Sequence, residues 1–411
     1  MYQGLMDMSW NIALNKVKEI KDAYIDTFGA DTLYDYSGKT CLDHWVEKLK
    51  VKEYEDILLD LHRNEFGDLL ILRYRLPHPV DGVEFYKAYD GLMNECRSVV
   101  IDFRNEKLVL VPFRKFRNLN ECKETSEARI RELLKDAKVV EFADKLDGSM
   151  QSARFYDGRL VMSGSRSIDR CASYRLNNGY SFIESHENYL RMLKDHPDLT
   201  FVFEYIFPDD LHVVDYSEKE QGLYLIGIRD VTDGREYHYF EVREFAERYG
   251  TLTTIVSETA FDDAMTFLKN VDGKEKEGFV LNIDGFRVKL KSDDYVNLHN
   301  SIWEIQDDNV LFQAVRNDVI DDTIAKLPKS MVDEVIRKRD RIVEFARDRE
   351  RAVRKYLDRI SELGLTEKRD VMIWIAENVP KEYGSAVRSL YLGKEIDYLK
   401  GYKAADILGE Q

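Results

Sequence analysis

Short strand-like runs joined by tight turns fill the middle of the chain, and they constrain its fold more than any other feature. Ser98–Ile101 and Leu108–Pro112 flank a short polar break and predict a hairpin. Gly278–Ile283 and Phe286–Leu290 flank Asp284-Gly285, a dipeptide typical of two-residue hairpin turns. Strands that follow one another through such turns pair in antiparallel fashion, so the pattern predicts an α+β domain built on antiparallel sheet.

The two ends of the chain have a different pattern. Residues 10–75 place apolar side chains at three- and four-residue spacing and predict mostly helix. After about Leu298 strand-like runs become rare, and residues 329–359 are dense in Arg and Lys with apolar residues interleaved, which predicts helices. We therefore predict three regions: an N-terminal, partly helical extension (1–85), a central domain (86–298) and a separate C-terminal α-helical domain (299–411).

The composition narrows the classes of function. The chain has 61 Lys and Arg against 77 Asp and Glu, a formal net charge of −16, which argues against a protein that coats nucleic acid or a membrane through overall positive charge. No apolar run approaches the ~20 residues of a membrane span. The first fifteen residues lack a secretory signal and the four cysteines lie far apart. We expect a cytoplasmic monomer with free thiols and no membrane contact.

The segment Lys145-Leu146-Asp147-Gly148-Ser149 lies between two predicted strands and is the first candidate for chemistry. A K-x-D-G pattern alone arises by chance in roughly one chain in ten of this length, so by itself it indicates no more than a surface turn. Its place between strands, beside a glycine that lets a ligand approach, makes Lys145 a candidate nucleophile.

Two acidic residues and a pair of lysines follow in order. Glu204 lies near the end of one apolar run, and Glu277 lies at the start of another. Lys289 and Lys291 are two residues apart in the next run, so strand alternation places both on one face. If that strand is central, the two cations need an anion between them; if it is an edge strand, solvent satisfies them.

Together these segments resemble the covalent nucleotidyltransferases, the superfamily of DNA ligases, RNA ligases and mRNA-capping enzymes. Five segments occur in the order of the superfamily motifs: Lys145–Gly148, Phe203-Glu204, Leu223–Arg229, Glu277–Val280 and Val288–Lys291. Four more resemble the RNA ligase 1 family, the phage tRNA-repair type: Glu95–Ser98, Lys115–Glu121, Lys291–His299 and Ser389–Gly393. The resemblance runs from about Glu95 to the C-terminus. It implies a phage-encoded enzyme with an antiparallel-sheet, ATP-grasp-like nucleotidyltransferase domain.

Three segments depart from the family pattern. Leu146 stands where this ligase type often has an acidic residue, and the basic residue expected near Ser163–Ser167 is shifted to Arg166. Pro208–His212 lacks the usual Asn-Arg pair. These departures concern the RNA side of the site and leave the residues for nucleotide chemistry in place.

The resemblance implies roles for the motif residues. Lys145 would form the covalent AMP adduct, while Lys289 and Lys291, with Mg²⁺ or Mn²⁺, would lower its pKa and stabilise charge on the α-phosphate. Glu204 and Glu277 would hold the metal; Glu204 would also accept the ribose hydroxyl, and Glu277 would orient the nucleophile.

The remaining contacts to ATP follow from the same resemblance. Arg97 and Lys115 would contact the ribose or the polyphosphate. Adenine would lie between Val280 and either Tyr224 or Ile226, since the register is open at that point. The full set of expected ATP-binding residues is Arg97, Lys115, Phe116, Lys145, Asp147, Gly148, Glu204, Tyr224, Ile226, Glu277, Val280, Lys289, Lys291 and Tyr295.

We interpret the sequence as an ATP-dependent RNA ligase that joins 3′-hydroxyl and 5′-phosphate ends, with broken tRNA anticodon loops as the expected RNA. The alternatives are a DNA ligase, a capping-type nucleotidyltransferase, and a non-catalytic RNA-binding homologue. The first two normally carry a β-barrel after the last motif, whereas residues after Leu298 predict helix. The third would not require the complete set of catalytic residues.

Overall fold

A computed structural model describes most of the chain and divides it into two compact units. The described residues are 10–33, 41–50, 57–64, 67–74, 91–208, 210, 212–317, 319–324, 327 and 329–409. The units are Met1–Tyr295 and Val296–Gln411, and each is described by itself. The three-region division remains a prediction from the sequence. None of the described helices combines the length and the apolar character needed to cross a bilayer.

Two helices and a hairpin open the first unit. α1 (Ile12–Phe28) and α2 (Cys41–Leu49) are helical as predicted, with a 3-10 turn at Ala30–Thr32 after α1. β1 (Ile57–Asn64) and β2 (Gly67–Tyr74) pair antiparallel, so the prediction of helix in that part is wrong.

The sequence of β2 explains the error. Leu70 and Leu72 pack into the core that holds α1, while Leu69 and Ile71 pack into a second cluster on the opposite face. A strand buried on both faces is a continuous apolar run without period-two alternation, and periodicity alone cannot distinguish such a run from buried helix.

A four-stranded antiparallel sheet with the order β1-β2-β3-β4 forms this end of the unit. The short helix α3 (Leu92–Glu95) leads into β3 (Arg97–Asp102), which pairs with β4 (Lys107–Leu110). The predicted first hairpin is therefore confirmed. One face of the sheet packs against α1 and α2, and the other packs against Val161 and Ile168.

Two further sheets form the rest of the unit. Their strands are β5 (Arg117–Asn118), β6 (Val140–Lys145), β7 (Ser149–Tyr156), β8 (Arg159–Ser163), β9 (Leu199–Ile206), β10 (Gly222–Asp230), β11 (Val256–Ser257), β12 (Gly278–Ile283) and β13 (Phe286–Lys291). The sheet orders are β10-β9-β7-β8 and β11-β6-β12-β13-β5. Only the two-residue β5 pairs in parallel among these strands. The antiparallel α+β class and the hairpin at Asp284-Gly285 are confirmed.

Helices cover one face of each of these two sheets. They are α4 (Glu127–Asp136), α5 (Tyr174–Ser185), α6 (Glu187–Asp195), α7 (Tyr239–Tyr249) and α8 (Phe261–Asn270). α5, α6 and α7 bury the apolar face of the β10-β9-β7-β8 sheet, and α4 and α8 bury that of the other sheet. The chain passes from β6 in one sheet to β7 in the other through Leu146–Gly148. The lysine segment is therefore the crossing between two sheets.

The second unit is helical, as predicted. Its helices are the C-terminal part of α9 (Asp293–Gln306), α10 (Asp308–Arg316), α11 (Ile320–Ile324), α12 (Lys329–Glu362), α13 (Lys368–Asn378), α14 (Lys381–Tyr391) and α15 (Ala404–Leu408). Within its described residues no strand occurs. Val353 and Ile360 of α12 pack with Val371 and Ile375 of α13 and with Val387 of α14 to form an apolar core.

Candidate active site

Two of the predicted lysines lie in one row across three strands. Lys145 at the end of β6 is in register with Gly278 on β12, and Gly278 is in register with Lys291 on β13. A Cβ on Gly278 would lie 1.9 Å from the carbonyl oxygen of Leu290, so only glycine fits between them.

The carboxylate of Glu277 joins these two lysines. Its Oε2 accepts a hydrogen bond from Nζ of Lys145 at 2.8 Å, and its Oε1 lies 2.9 Å from Nζ of Lys291. Only 2% of the Glu277 side chain is exposed, so the charges are matched away from bulk water. The sequence predicted an anion between Lys289 and Lys291, whereas the carboxylate of Glu277 lies between Lys145 and Lys291.

The pKa of Lys145 differs from the expectation. Burial lowers this pKa, but the negative charges of Glu277, Glu204 and Asp147 outweigh burial and leave it above the ordinary value for lysine. The predicted lowering by neighbouring cations is therefore wrong for the protein alone, because carboxylates are the first neighbours of this ammonium group.

The lowered pKa belongs instead to Lys289. Burial, and after it the charges of four neighbouring cations, lower the pKa of Lys289 to about 7: Arg97, Lys145, Lys115 and Lys291. Its Nζ lies 5.0 Å from the centre of the Phe116 ring. The structure thus brings the five predicted cations close enough to interact.

Both lysines of β13 lie on the predicted common face. Val288 and Leu290 point into the core under α4 and α8, which leaves Lys289 and Lys291 on the opposite side. β13 lies between β12 and the short strand β5 and is not the edge of its sheet. The solvated-edge interpretation is therefore wrong.

Glu204 comes from the other sheet. It lies opposite Met150 on β7 and opposite Tyr224 on β10, and its Oε1 accepts a hydrogen bond from the backbone N–H of Gly148 at 3.0 Å. Burial raises the pKa of Glu204 to about 7; the charge of Lys145 opposes that effect. A Cβ on Gly148 would lie 2.5 Å from the Tyr205 carbonyl oxygen, so this glycine is also required.

Asp147 holds protein groups together. Its Oδ2 accepts hydrogen bonds from the backbone N–H groups of Val213 at 2.7 Å and Val214 at 3.1 Å. Its Oδ1 accepts from the hydroxyl of Tyr295 at 2.8 Å. The motif aspartate therefore ties the Lys145 loop to a neighbouring loop and to the start of α9. Tyr216, which no motif selected, accepts a hydrogen bond from the N–H of Asp147 at 2.7 Å.

An apolar surface lies beside the cations. Val280 and Phe116 pack there with four other residues: Ala143, Tyr239, Val256 and Phe240. Tyr224 is half-buried, faces the same side as Glu204, and donates its hydroxyl to the carbonyl of Glu220 at 2.6 Å. Ile226 is also half-buried and occupies the bulge of β10. The choice between Tyr224 and Ile226 stays open.

Glu141 is a buried carboxylate beside the site that the motifs missed. It lies on the same face of β6 as Lys145 and has no exposed surface. It accepts hydrogen bonds at 2.9 Å from the backbone N–H groups of both Tyr239 and Phe240, at the start of α7. Asn282 donates to it at 2.6 Å. Because side chains alternate along a strand, the four-residue spacing of Glu141 and Lys145 could have indicated that both lie on one face.

A divalent metal would depend on substrate oxygens here. In the described part of the chain, no group of three or more His, Cys, Asp or Glu residues could hold an ion. Mg²⁺ is commonly held by one or two carboxylates together with phosphates and waters, and Glu204 and Glu277 fit that requirement. Glu204 has one carboxylate oxygen free of the Gly148 contact, whereas both oxygens of Glu277 contact lysines.

A lysine lies where the chain crosses between two antiparallel sheets, with carboxylates and further lysines on the adjoining strands. This arrangement agrees with the nucleotidyltransferase domain that the motifs led us to expect. Residues 95–295, just under half of the chain, match the family model described as RNA ligase. The resemblance to the RNA ligase 1 family that the motifs implied is confirmed over this segment.

Proteins that are similar in sequence or in structure are also described as RNA ligases. A candidate RNA ligase of Thermovibrio ammonificans is 24% identical over 299 residues, which span 68% of this chain and 73% of that protein. An archaeal ATP-dependent RNA ligase of known structure shares 15% identity over 72% of this chain and 75% of its own, with a TM-score of 0.42. An RNA ligase of Naegleria gruberi, solved with ATP and Mn, shares 16% identity over 42% of this chain, with a TM-score of 0.34. This chain spans only 55% of that protein.

Proposed function

We propose that the protein is an ATP-dependent RNA ligase that joins 3′-hydroxyl and 5′-phosphate ends through lysyl-AMP and AMP–RNA intermediates. The observation that carries this proposal is the row Lys145–Gly278–Lys291 with the carboxylate of Glu277 between the two ammonium groups. A nucleophilic lysine needs a nearby acceptor for its proton and a cation for the phosphate it attacks, and this row supplies both.

The first step transfers AMP from ATP to the protein. The ammonium group of Lys145 first gives one proton to Oε2 of Glu277, which already contacts it. The neutral amine then attacks the α-phosphorus, the bond to the pyrophosphate leaving group breaks, and the nitrogen loses a second proton to solvent as the P–N bond forms. Lys289 and Lys291 then stabilise the charge that develops on the phosphate oxygens.

Metal and nucleotide contacts follow from the same arrangement. Glu204 and Glu277 are our proposed ligands for Mg²⁺ or Mn²⁺, which would neutralise the polyphosphate and activate its leaving group. The expected contacts of Arg97 and Lys115 with the ribose or the polyphosphate are kept as proposals. The placement of adenine beside Val280 is also kept as a proposal.

The C-terminal unit is our proposed RNA-specificity domain, and broken tRNA anticodon loops are its proposed substrate. A groove between α12 and α13 is lined by Arg351, Lys355, Arg359, Tyr356 and Trp374. Within the described chain Lys355 forms no ion pair, so its charge is available to a phosphate. Cations beside aromatic rings suit single-stranded RNA, whose bases are unstacked.

Labelling with radioactive ATP or GTP and Mg²⁺, followed by denaturing electrophoresis, tests the proposed chemistry. We expect a covalent adenylate in the native protein and none in Lys145→Ala. Lys269→Ala, at an exposed lysine on α8, is the matched control and should label normally. A guanylate would indicate a capping enzyme, and no label would indicate a non-catalytic RNA-binding protein.

Sealing assays then define the substrate. We expect joining of a broken anticodon loop in preference to a plain single strand or a nicked duplex. Lys355→Ala combined with Arg359→Ala should weaken that preference and leave adenylylation intact. Preferential sealing of nicked DNA would replace the proposal with a DNA ligase.

A further inference from the structure

Ser98 lies at a break in the pairing of β3, directly after Arg97. Leu72 of β2 is in register with Val99. The next residue of β2, Arg73, is in register with Arg97, so Ser98 is one extra residue on β3 and forms a β-bulge. The φ angle of Ser98 is 67°, in the left-handed region that residues with a Cβ rarely adopt.

The bulge decides which face of the first sheet carries Arg97. Val99 packs in the core that holds α1, so unbroken alternation along β3 would place Arg97 in the same apolar core. Because Ser98 is extra, Cys96 occupies that core instead. Arg97 lies with its register partner Arg73 on the opposite face, which β2 shares with β8 through apolar contacts.

The side chain of Ser98 is held in place. Only 3% of the residue is exposed, and its Oγ donates a hydrogen bond to the carbonyl oxygen of Ser165 at 2.9 Å. Ser165 lies in a turn directly after β8, which the N–H of Gly164 closes on the carbonyl of Ser167 at 2.9 Å. The bulge is thus fixed between its own sheet and the end of a strand in the β10-β9-β7-β8 sheet, and these contacts offset the strain of the left-handed backbone.

The charge of Arg97 is available to a ligand. The residue is half-buried, and among the described residues its guanidinium has no hydrogen-bond or ion-pair partner. It lies close enough to Lys289 for its charge to lower the pKa of that lysine. A partly buried arginine among other cations needs an anion, and the polyphosphate of ATP is proposed to lie there. The face on which Arg97 lies therefore matters for nucleotide binding.

We propose that Ser98 is a positioning residue for Arg97: its left-handed backbone turns this guanidinium from the α1 core to the side where the phosphates of ATP bind. The inference rests on the proposed ATP-dependent function. It assigns a role to backbone conformation at a residue that touches no substrate.

Two substitutions separate the backbone of Ser98 from its hydroxyl. Ser98→Thr keeps the hydroxyl, but a β-branched side chain opposes a positive φ. Ser98→Gly loses the hydroxyl and adopts a positive φ without strain. If the role lies in the backbone, the threonine variant is impaired and the glycine variant is not.

The test measures binding to the full-length protein of an ATP analogue with a methylene group between the α- and β-phosphates. Both Ser98 variants are compared with Arg97→Ala and with the double variant Ser98→Thr, Arg97→Ala. The matched control is Asp157→Thr, at an exposed residue in the β7–β8 turn whose φ of 48° is also positive. Urea denaturation shows whether each variant is folded. If Ser98→Thr is unfolded, the less strained Ser98→Ala takes its place and is compared with Ser98→Gly.

We expect Arg97→Ala to weaken binding about 10- to 100-fold, the loss typical of a charge-assisted hydrogen bond. Ser98→Thr should weaken binding about 5- to 30-fold, which corresponds to the usual cost of left-handed backbone. When Arg97 is already alanine, the threonine should weaken binding no more than about twofold further, because both changes remove the same contact. Ser98→Gly and Asp157→Thr should bind within about threefold of the native protein.

A loss of affinity in Ser98→Gly as large as that in Ser98→Thr would assign the effect to the hydroxyl and overturn the proposal. Equal losses from the threonine with and without the Arg97 side chain would also overturn it, as would native affinity in a folded Ser98→Thr variant. If the native protein binds the analogue but forms no covalent adenylate with ATP, the ligase proposal fails and the binding test of Ser98 still stands. No binding of the analogue by the native protein would overturn both.

Discussion

Nucleotide binding should take up a proton at Lys289. Burial and four neighbouring cations lower the pKa of this lysine to about 7 in the free protein. A bound polyphosphate supplies negative charge and should return that pKa toward the ordinary ~10.4. Below pH 7 the side chain is already charged and affinity is independent of it; above pH 7 each binding event must also charge it.

The pH dependence of nucleotide affinity follows from the change in the pKa of Lys289 on binding. Affinity should fall toward tenfold for each pH unit above 7, which amounts to roughly 50-fold, or about 2.3 kcal/mol, between pH 7 and pH 9. At pH 8 about 0.9 proton should be taken up per nucleotide bound. Lys289→Arg should remove most of this dependence, because a guanidinium stays charged over the whole range.

Titration calorimetry measures the proton directly. The ligand is an ATP analogue with a methylene group between the α- and β-phosphates, which cannot transfer AMP, and each titration is run in two buffers of different ionisation enthalpy. Lys269→Arg on α8 is the control and should behave as the native protein. The reasoning is refuted if the native protein takes up no proton at pH 8, or if Lys289→Arg takes up as many.

Three shorter predictions concern single side chains. Lys291→Ala should slow auto-adenylylation by a factor of ~10²–10³, or ~3–4 kcal/mol, because a fixed cation is lost beside the reacting phosphate. A single-turnover labelling rate within twofold of the native rate would contradict this prediction. Glu95→Ala should lower the free energy of unfolding by ~3–5 kcal/mol, since Arg229, 2% exposed, would lose the carboxylate 2.7 Å away and keep only the more distant Glu236, at 3.9 Å, as an ion-pair partner. Urea denaturation checks this, and a loss below about 1 kcal/mol would argue against it. Iodoacetamide should label Cys171, which is exposed, before Cys96, whose pKa burial raises far above the usual range, and mass spectrometry showing the reverse order would disprove the assignment.

The sequence predicted best where one local signal was enough. Asp284-Gly285 located the β12–β13 hairpin, and period-two spacing located Lys289 and Lys291 on one face. It predicted poorly where distant segments decide the outcome. β2 is buried on both faces and therefore lost its alternation. The pKa of Lys145 depends on carboxylates that come from three different segments, and no spacing in the sequence gives those distances.

The order of the first sheet bears on how a catalytic fragment could be cut from this chain. The family match begins at residue 95, but β3 pairs with β2 along Leu69–Arg73. A protein started at the match would leave one whole side of β3, with its buried run Val99–Ile101, as an open hydrogen-bonding edge. Such edges recruit other chains into aggregates. A fragment that keeps β3 paired must therefore retain the β1–β2 hairpin, and the smallest unit that can be excised is larger than the segment that carries the motifs.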